Sequence, residues 1–206
     1  MSLGLAIDLE DSISGILAAV GASLDDRTLL NDKIGQDELT LVQEHLKALS
    51  YDRHDSANRL GAQPSGFWEN AAGQTTLHAD AQQAVVSVKH PGIGRALHDV
   101  TIVPGAGKQY LTLPLLAVAY NQRAAGLDNL FVIRSHESAL FLARHEDADK
   151  ESGLEILYLL VRSVLLPQDR TLLPTDEEFE FTALRAAQEY FQAIFAGQSQ
   201  PQGGLN

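Results

Sequence analysis

Apolar residues at Leu9, Ile13, Ile16, Leu17 and Val20 recur every three to four positions and predict a first helix, with Asp8 placed to cap it. The polar triplet Asp25-Asp26-Arg27 breaks that pattern. A second helical stripe, Leu39, Val42, Leu46 and Leu49, predicts a helix over residues 36–49, and ordinary core packing accounts for it. From Thr75 the period changes to two. Residues 75–79 and 84–90 read as strands joined by a turn at Asp80-Ala81, and residues 130–134 and 139–144 as a second hairpin across His136-Glu137. Residues 145–152 read as a charged loop. Residues 154–166 are almost continuously apolar; Ile156, Tyr158, Val161 and Val164 favour a strand that Pro167 ends. A last helix begins at Thr175, with Glu178 at capping-box distance and Leu184, Ala187, Phe191 and Ile194 as its apolar stripe. Helices, then five or six short strands, then a helix predict an α+β fold. Its antiparallel sheet of five or six strands packs with N-terminal and C-terminal helices.

Two stretches stand outside that rhythm. Residues 50–74 hold Tyr51, Arg53, His54, Gly61, Pro64, Gly66 and Gly73 and read as a long, mostly irregular segment, a kind that is often functional. Phe67 and Trp68 within it either anchor the segment to the core or dock on a partner; the usual burial of large aromatics favours the anchor. The stretch VTIVPGAGKQYLTLP, residues 100–114, contains Gly-Ala-Gly-Lys. A phosphate-binding loop needs a further glycine where Ile102 stands, a hydroxyl where Gln109 stands, and a helix behind it. Here alternating residues lie on both sides, so the stretch reads as a hairpin turn formed by Pro104, Gly105 and Gly107.

The 206 residues suffice for one domain. We expect a helical arm over residues 1–30, a main domain over 31–196, and a mobile tail over 197–206, whose sequence GQSQPQGGLN is too polar to bury a core. Apolar residues make up 45% of the chain, yet no apolar run reaches membrane-spanning length and no secretory signal is expected at the N-terminus. With 27 acidic residues against 15 basic ones the net charge is −12, which argues against specific nucleic-acid binding. No cysteine is present, so disulfides and thiolate metal sites are excluded.

No motif for chemistry emerges. The seven histidines, His45, His54, His78, His90, His98, His136 and His145, are scattered. His136-Glu137 begins like a zinc-protease helix motif, but Leu140 stands where the next histidine belongs. Asp147, Asp149 and Glu151 lack the glycine and terminal glutamate of a calcium loop. There is no Gly-x-Ser-x-Gly elbow. We assign no catalytic residue, no cofactor and no metal ligand.

The order of these elements resembles the virion morphogenesis, or tail-completion, proteins of Mu-like bacteriophages and prophages. Ile34-Gly35 through His45-Leu46 is similar to the opening helix of that family, and Leu60-Gly61-Ala62-Gln63-Pro64 with Phe67-Trp68-Glu69-Asn70-Ala71-Ala72 to its following loop. The run from Val85 to His90 with Pro91-Gly92-Ile93 resembles the strand and turn before its central hairpin. Thr101-Ile102-Val103-Pro104 and the run from Lys108 to Pro114 resemble the hairpin itself. The run from Val161 to Pro167 and Leu172-Leu173-Pro174 resemble its closing strand and the lead-in to its last helix. The likeness spans roughly residues 34 to 195; His98-Asp99 stands where the family often has Gly-Gly, and residues 1–30 lie outside it.

The resemblance implies a non-enzymatic structural protein of the virion, assembled in the host bacterial cytoplasm. It would act in tail completion or termination and head–tail joining. It would do so as a homo-oligomeric ring, a hexamer in the common case, on the tail tube or sheath and against a neck or connector protein. DNA would pass through such a ring, and an acidic lumen would keep the genome from adhering. The candidate interface residues are Tyr51, Arg53, His54, Phe67, Trp68, Lys108 and Arg123. The alternatives are a neck adaptor, a monomeric binding module and a metal-dependent hydrolase.

Overall fold

The computed structural model describes residues 13–147 and 150–198. In chain order the helices are α1 (Ile13–Asp25), α2 (Thr28–Asp52), α3 (Asp55–Leu60), α4 (Phe67–Gly73) and α5 (Asp176–Gln198). The strands are β1 (Thr75–Ala79), β2 (Ala84–Val88), β3 (Val100–Ile102), β4 (Leu111–Pro114), β5 (Phe131–Arg134), β6 (Leu140–Asp147), β7 (Lys150–Val161) and β8 (Val164–Leu166). All strand pairings are antiparallel, and the fold is α+β. The strands and helices divide between two compact units, one holding the chain up to Glu44, Thr75–Lys89 and the chain from Pro174, the other His45–Gln74 and His90–Leu173. The boundary read between residues 30 and 31 falls inside α2.

In the first unit the break at Asp25-Asp26-Arg27 is a helix cap. Asp26 Oδ1 accepts from the Thr28 N–H at 3.0 Å and from its hydroxyl at 2.6 Å, so α2 starts at Thr28, well before residue 36. Gly35 is buried on this helix, where a Cβ would stand 2.5 Å from Leu77 Cδ1 and 3.1 Å from Ala84 Cβ. The β1–β2 hairpin therefore lies directly against the helix backbone. Asn31 fastens its turn by donating from Nδ2 to the Asp80 carbonyl at 2.8 Å. The α5 capping box forms as its spacing predicts. The Thr175 N–H donates to Glu178 Oε2 at 2.8 Å, and the Glu178 N–H to Thr175 Oγ1 at 3.3 Å. Lys33 bridges Asp37 and Glu189, linking α2 to α5 through pairs that water screens.

The predicted stripe on α5 is corrected at one position. Leu184 is 64% exposed, whereas Thr182 and Ala186 are buried, because the helix turns the 182/186 face inward and carries Leu184 outward. Leu184→Ala should accordingly change stability by no more than about 0.5 kcal/mol, against the roughly 2–5 kcal/mol typical of a core leucine, as read from the urea midpoint.

The second unit is built on a four-stranded sheet in the order β4-β7-β6-β5. The single sheet of five or six strands expected from the sequence is corrected, among the described residues, to three sheets: this one, and two pairs, β1-β2 and β3-β8. β1-β2 belongs to the other unit, and the ladder on β7 and β8 is interrupted at Arg162-Ser163. Register across β6 and β7 shifts between Leu142 and Ala143, whose partners are Tyr158 and Ile156. That bulge leaves Leu157 without a partner on β6, while its carbonyl accepts from the Leu115 N–H at 2.8 Å, and the consecutive residues Leu157 and Tyr158 are both buried. It accounts for an apolar run that does not alternate. Ala119, Leu157 and Tyr158 form the core here, with Leu127, Leu130 and Leu142 packed on it. Residues 145–147 and 150–152, expected to be loop, continue β6 and β7, with Asp147 paired to Lys150.

Residues 100–114 do not form a hairpin. β3 pairs with β8, Val100 opposite Leu166, and β4 pairs with β7, Leu111 opposite Val161. Both strands run the same way along one partner stretch, 158–166. Residues 103–110 leave the ladder and return to it without reversing direction. The turn inside this excursion is the glycine turn expected, with the Lys108 N–H donating to the Gly105 carbonyl at 3.0 Å and Gly107 at φ 77°. The strand on its far side is local and legible; its partner is not, because it lies about fifty residues further along the chain, where β3 and β4 each take a separate part of the stretch 158–166.

Residues 50–74 are also corrected. They are the end of α2 and two short helices, α3 and α4. Gly61 and Gly66, at φ 62° and 68°, are the left-handed residues that stop α3 and start α4, so the glycines mark helix ends and not a loop. Of the expected arm, α1 lies against α5; residues 1–12 and 199–206, and with them most of the expected tail, lie outside the described residues. Among the described residues no helix is long and apolar enough to cross a membrane.

Candidate functional site

The second unit carries a cavity of about 630 Å³ whose lining includes four of the seven interface candidates, Arg53, His54, Phe67 and Trp68. Each is positioned by backbone that the sequence places locally. Arg53 and His54 follow α2 directly, and Phe67 and Trp68 open α4. Trp68 is 8% exposed, and its Nε1–H donates to the Arg53 carbonyl at 3.0 Å, which ties the start of α4 to the chain after α2. Its indole meets the Phe67 ring edge to face at 4.8 Å. Phe67 in turn packs on His90 at 4.5 Å and covers Gly92, where a Cβ would collide with its ring at 2.4 Å. Pro91-Gly92 is thus a place of close approach, and Gly92 is needed for space. Trp68 is an anchor, as its size suggests, and also a wall of the cavity.

The other side of the cavity is polar. Asp169 caps a single 3₁₀ turn, Arg170–Leu172, by accepting at Oδ1 from the Thr171 N–H at 3.1 Å and the Thr171 hydroxyl at 2.6 Å. Its Oδ2 accepts from Arg53 Nη1, while Arg53 Nη2 donates to the Thr171 hydroxyl oxygen. Arg95 Nη2 stands 3.6 Å from the same Oδ2, and the Asp169 N–H donates to the Arg95 carbonyl at 2.8 Å. The Thr171 hydroxyl above all, helped by the Arg53 guanidinium and the Thr171 N–H, holds the Asp169 carboxyl below its ordinary value against an opposing push from burial. Leu172, next in the turn, is fully buried. His45 adds a tether, its ring N–H donating to the Thr171 carbonyl at 3.1 Å.

The remaining candidates sit elsewhere on their elements. Tyr51 is 85% exposed near the end of α2. His54, by contrast, is on the cavity lining, and its ring donates to the Ser50 carbonyl. Lys108 is exposed in the 103–110 excursion, and Arg123 is exposed before a 3₁₀ turn whose Gly126 N–H donates to its carbonyl at 2.8 Å. Neither of the last two lines the cavity. Sequence reasoning did not single out Arg95, Tyr120, Asp169 or Leu172, all on the lining. Asp169-Arg170-Thr171 carried a signal, since an aspartate two residues before a threonine is a capping pattern. Arg95, inside Pro-Gly-Ile-Gly-Arg, carried none.

Among the described residues, no group of three or more His, Asp or Glu side chains is gathered closely enough to hold a metal ion. Chemically, the cavity offers the Arg53 and Arg95 guanidinium groups, the Asp55 carboxylate and the heavily used Asp169 carboxylate, with an aromatic wall. Comparison of the chain with known protein families, curated proteins and solved structures found no match.

Proposed function

We propose that this chain is a structural protein of a tailed-phage virion that completes the tail and joins it to the head, assembling as a ring on the tail tube. One observation carries the reading: the folded chain presents short sheets with open edges and apolar side chains beside them. β3-β8 is only two strands wide, with Leu165 63% exposed and Ile102 partly so, and Val132 is exposed on the edge strand β5. Such edges favour being covered, and copies of the same chain in a closed ring can cover them. The likeness in sequence along residues 34–195 favours the same assignment, with the difference that residues 100–114 are not a hairpin here. So does the candidate surface around Arg53 and Trp68, which suits a contact with a neighbouring copy, the tube or sheath, or a neck protein. The −12 charge suits a ring through which DNA passes without adhering. In this role the chain makes no covalent bond.

The test is genetic and visual. With the gene inactivated in a phage or prophage genome that carries it, electron microscopy after induction should show unjoined heads and tails with ill-defined ends. Infectious titre should fall by orders of magnitude. Joined, infectious particles at ordinary titre would overturn the proposal.

A further inference from the structure

We infer that the groove between α2 and α5 in the first unit receives a helix of a partner protein, one whose apolar face is flanked by lysine or arginine. The inference uses this unit alone and does not rest on the virion reading.

The shape of the groove points to a helix. Positions 37, 40, 41 and 44 of α2 line one wall and positions 178, 181, 182 and 185 of α5 the other, around a cavity of about 330 Å³. Each set follows the i, i+3, i+4, i+7 spacing that brings side chains to one face of a helix. Seven residues of helix rise about 10 Å, so both walls run for two turns. A channel between two helical faces is the seat that a third, amphipathic helix fills. Its apolar part is uncovered: Phe181 is 67% exposed on one wall, and Leu41 is half-buried on the other. A large aromatic held in water beside a groove is surface that a partner gains by burying.

Charge selects which helix. The lining holds three carboxylates, Asp37, Glu44 and Glu178, against one guanidinium, Arg185. That guanidinium is already shared, standing 3.9 Å from Asp37 and 3.9 Å from Glu189, and Lys33 is held by the same two carboxylates at 3.0 and 2.9 Å. The exposed Glu44 carboxylate pairs with neither of these cations. The imbalance extends to the whole unit. It holds 15 of the 27 acidic residues and 4 of the 15 basic ones, a net charge of −11, which leaves −1 for the second unit. The acidity is therefore not an even solubilising coat. It is gathered on the unit whose helices also expose Leu17, Leu24, Phe181 and Leu184. Apolar side chains set among carboxylates complement a basic amphipathic helix, and they disfavour a polyanion or the same unit of a second copy.

The purified full chain is titrated by calorimetry, near physiological salt, with a synthetic peptide of about eighteen residues, long enough to form a helix, with leucine along one face and lysine elsewhere. Its counterpart with glutamate in place of lysine, and oligolysine of equal length, are the controls. The leucine–lysine peptide should bind saturably, one per chain, and the controls at least about tenfold more weakly. Phe181→Ser and Glu44→Lys, both at exposed positions, should each weaken binding about tenfold. Glu137→Lys, the same charge change in the β5–β6 turn of the second unit, should alter it less than about twofold. No saturable binding, or equal binding of oligolysine, would overturn the inference. So would an equal loss in Glu44→Lys and Glu137→Lys, the mark of attraction by net charge alone. Equal binding of the glutamate peptide would remove the charge selection and overturn the assignment to a basic helix. A fall in the mass of the peptide-free chain on Phe181→Ser would give the groove to a second copy and overturn it likewise. If Phe181→Ser does not fold, the comparison of Glu44→Lys with Glu137→Lys decides.

Discussion

Trp68→Ala should destabilise the second unit by about 3–5 kcal/mol, measured as a fall in the urea midpoint followed by circular dichroism. Two losses combine. The indole is 8% exposed, so its removal opens a cavity beside Phe67 and the start of α4. The Arg53 carbonyl also loses its Nε1–H donor. Trp68→Phe separates them, because it keeps most of the packing and removes only the donor; it should cost about 1–2 kcal/mol. The consequence for function follows from position. Trp68 holds the backbone of Arg53, Arg53 holds Asp169, and Asp169 holds the turn bearing Leu172. A loss at Trp68 should loosen the whole cavity. A Trp68→Ala protein as stable as wild type would show that the indole is not the anchor described.

Asp169→Ala should cost about 2–4 kcal/mol, somewhat less than breaking a fully buried pair, because Arg53 and Asp169 both keep some exposure to water. It removes the acceptor of Arg53 Nη1 and of the two Thr171 donors, which water can reach, and the carboxylate that Arg95 Nη2 faces at 3.6 Å. The pH dependence carries the same information. The folded protein holds the Asp169 carboxyl below its ordinary value, so the folded state binds this proton less tightly than the unfolded chain does. The stabilisation is complete above the unfolded value of about 4 and is lost as pH falls through the depressed folded value. Wild-type stability should therefore drop on acidification below about pH 4, and Asp169→Ala should lack that component. Thermal melts from pH 6 down to pH 3 measure it. Parallel acid profiles for the two proteins would rule out Asp169 as the acid-sensitive tie.

Much of the secondary structure was legible because its causes are local. The α5 capping box, Thr175 with Glu178, is a pattern of neighbours, and so is the β1–β2 turn, where Asp80 Oδ1 accepts from the N–H groups of Gln82 and Gln83. The β5–β6 hairpin was legible for the same reason, its Ser135 N–H donating to the Ala139 carbonyl across the turn. The misreadings share a different cause. Gly61 and Gly66 are helix punctuation, but in a sequence they look the same as loop glycines. Val100 to Ile102 and Leu111 to Leu113 alternate correctly as strands, yet alternation does not name a partner, and both turned out to lie along the stretch 158–166.

The candidate site divides along the same line. Arg53, His54, Phe67 and Trp68 could be singled out because polar and aromatic residues crowd a short stretch of chain. Arg95, Tyr120 and Asp169 come from stretches far apart, and only folding brings them to the same cavity. The amino-acid sequence by itself determined the first and last helices, the β1–β2 and β5–β6 hairpins, the α+β class and the acidic character, because each depends on interactions among near neighbours or on a sum over residues. The tertiary structure alone decided which strands pair, how many sheets result, that Leu184 points outward, and that Arg95 faces Asp169. Those depend on which distant surfaces win in competition for one another, a choice made by the packing of the whole chain.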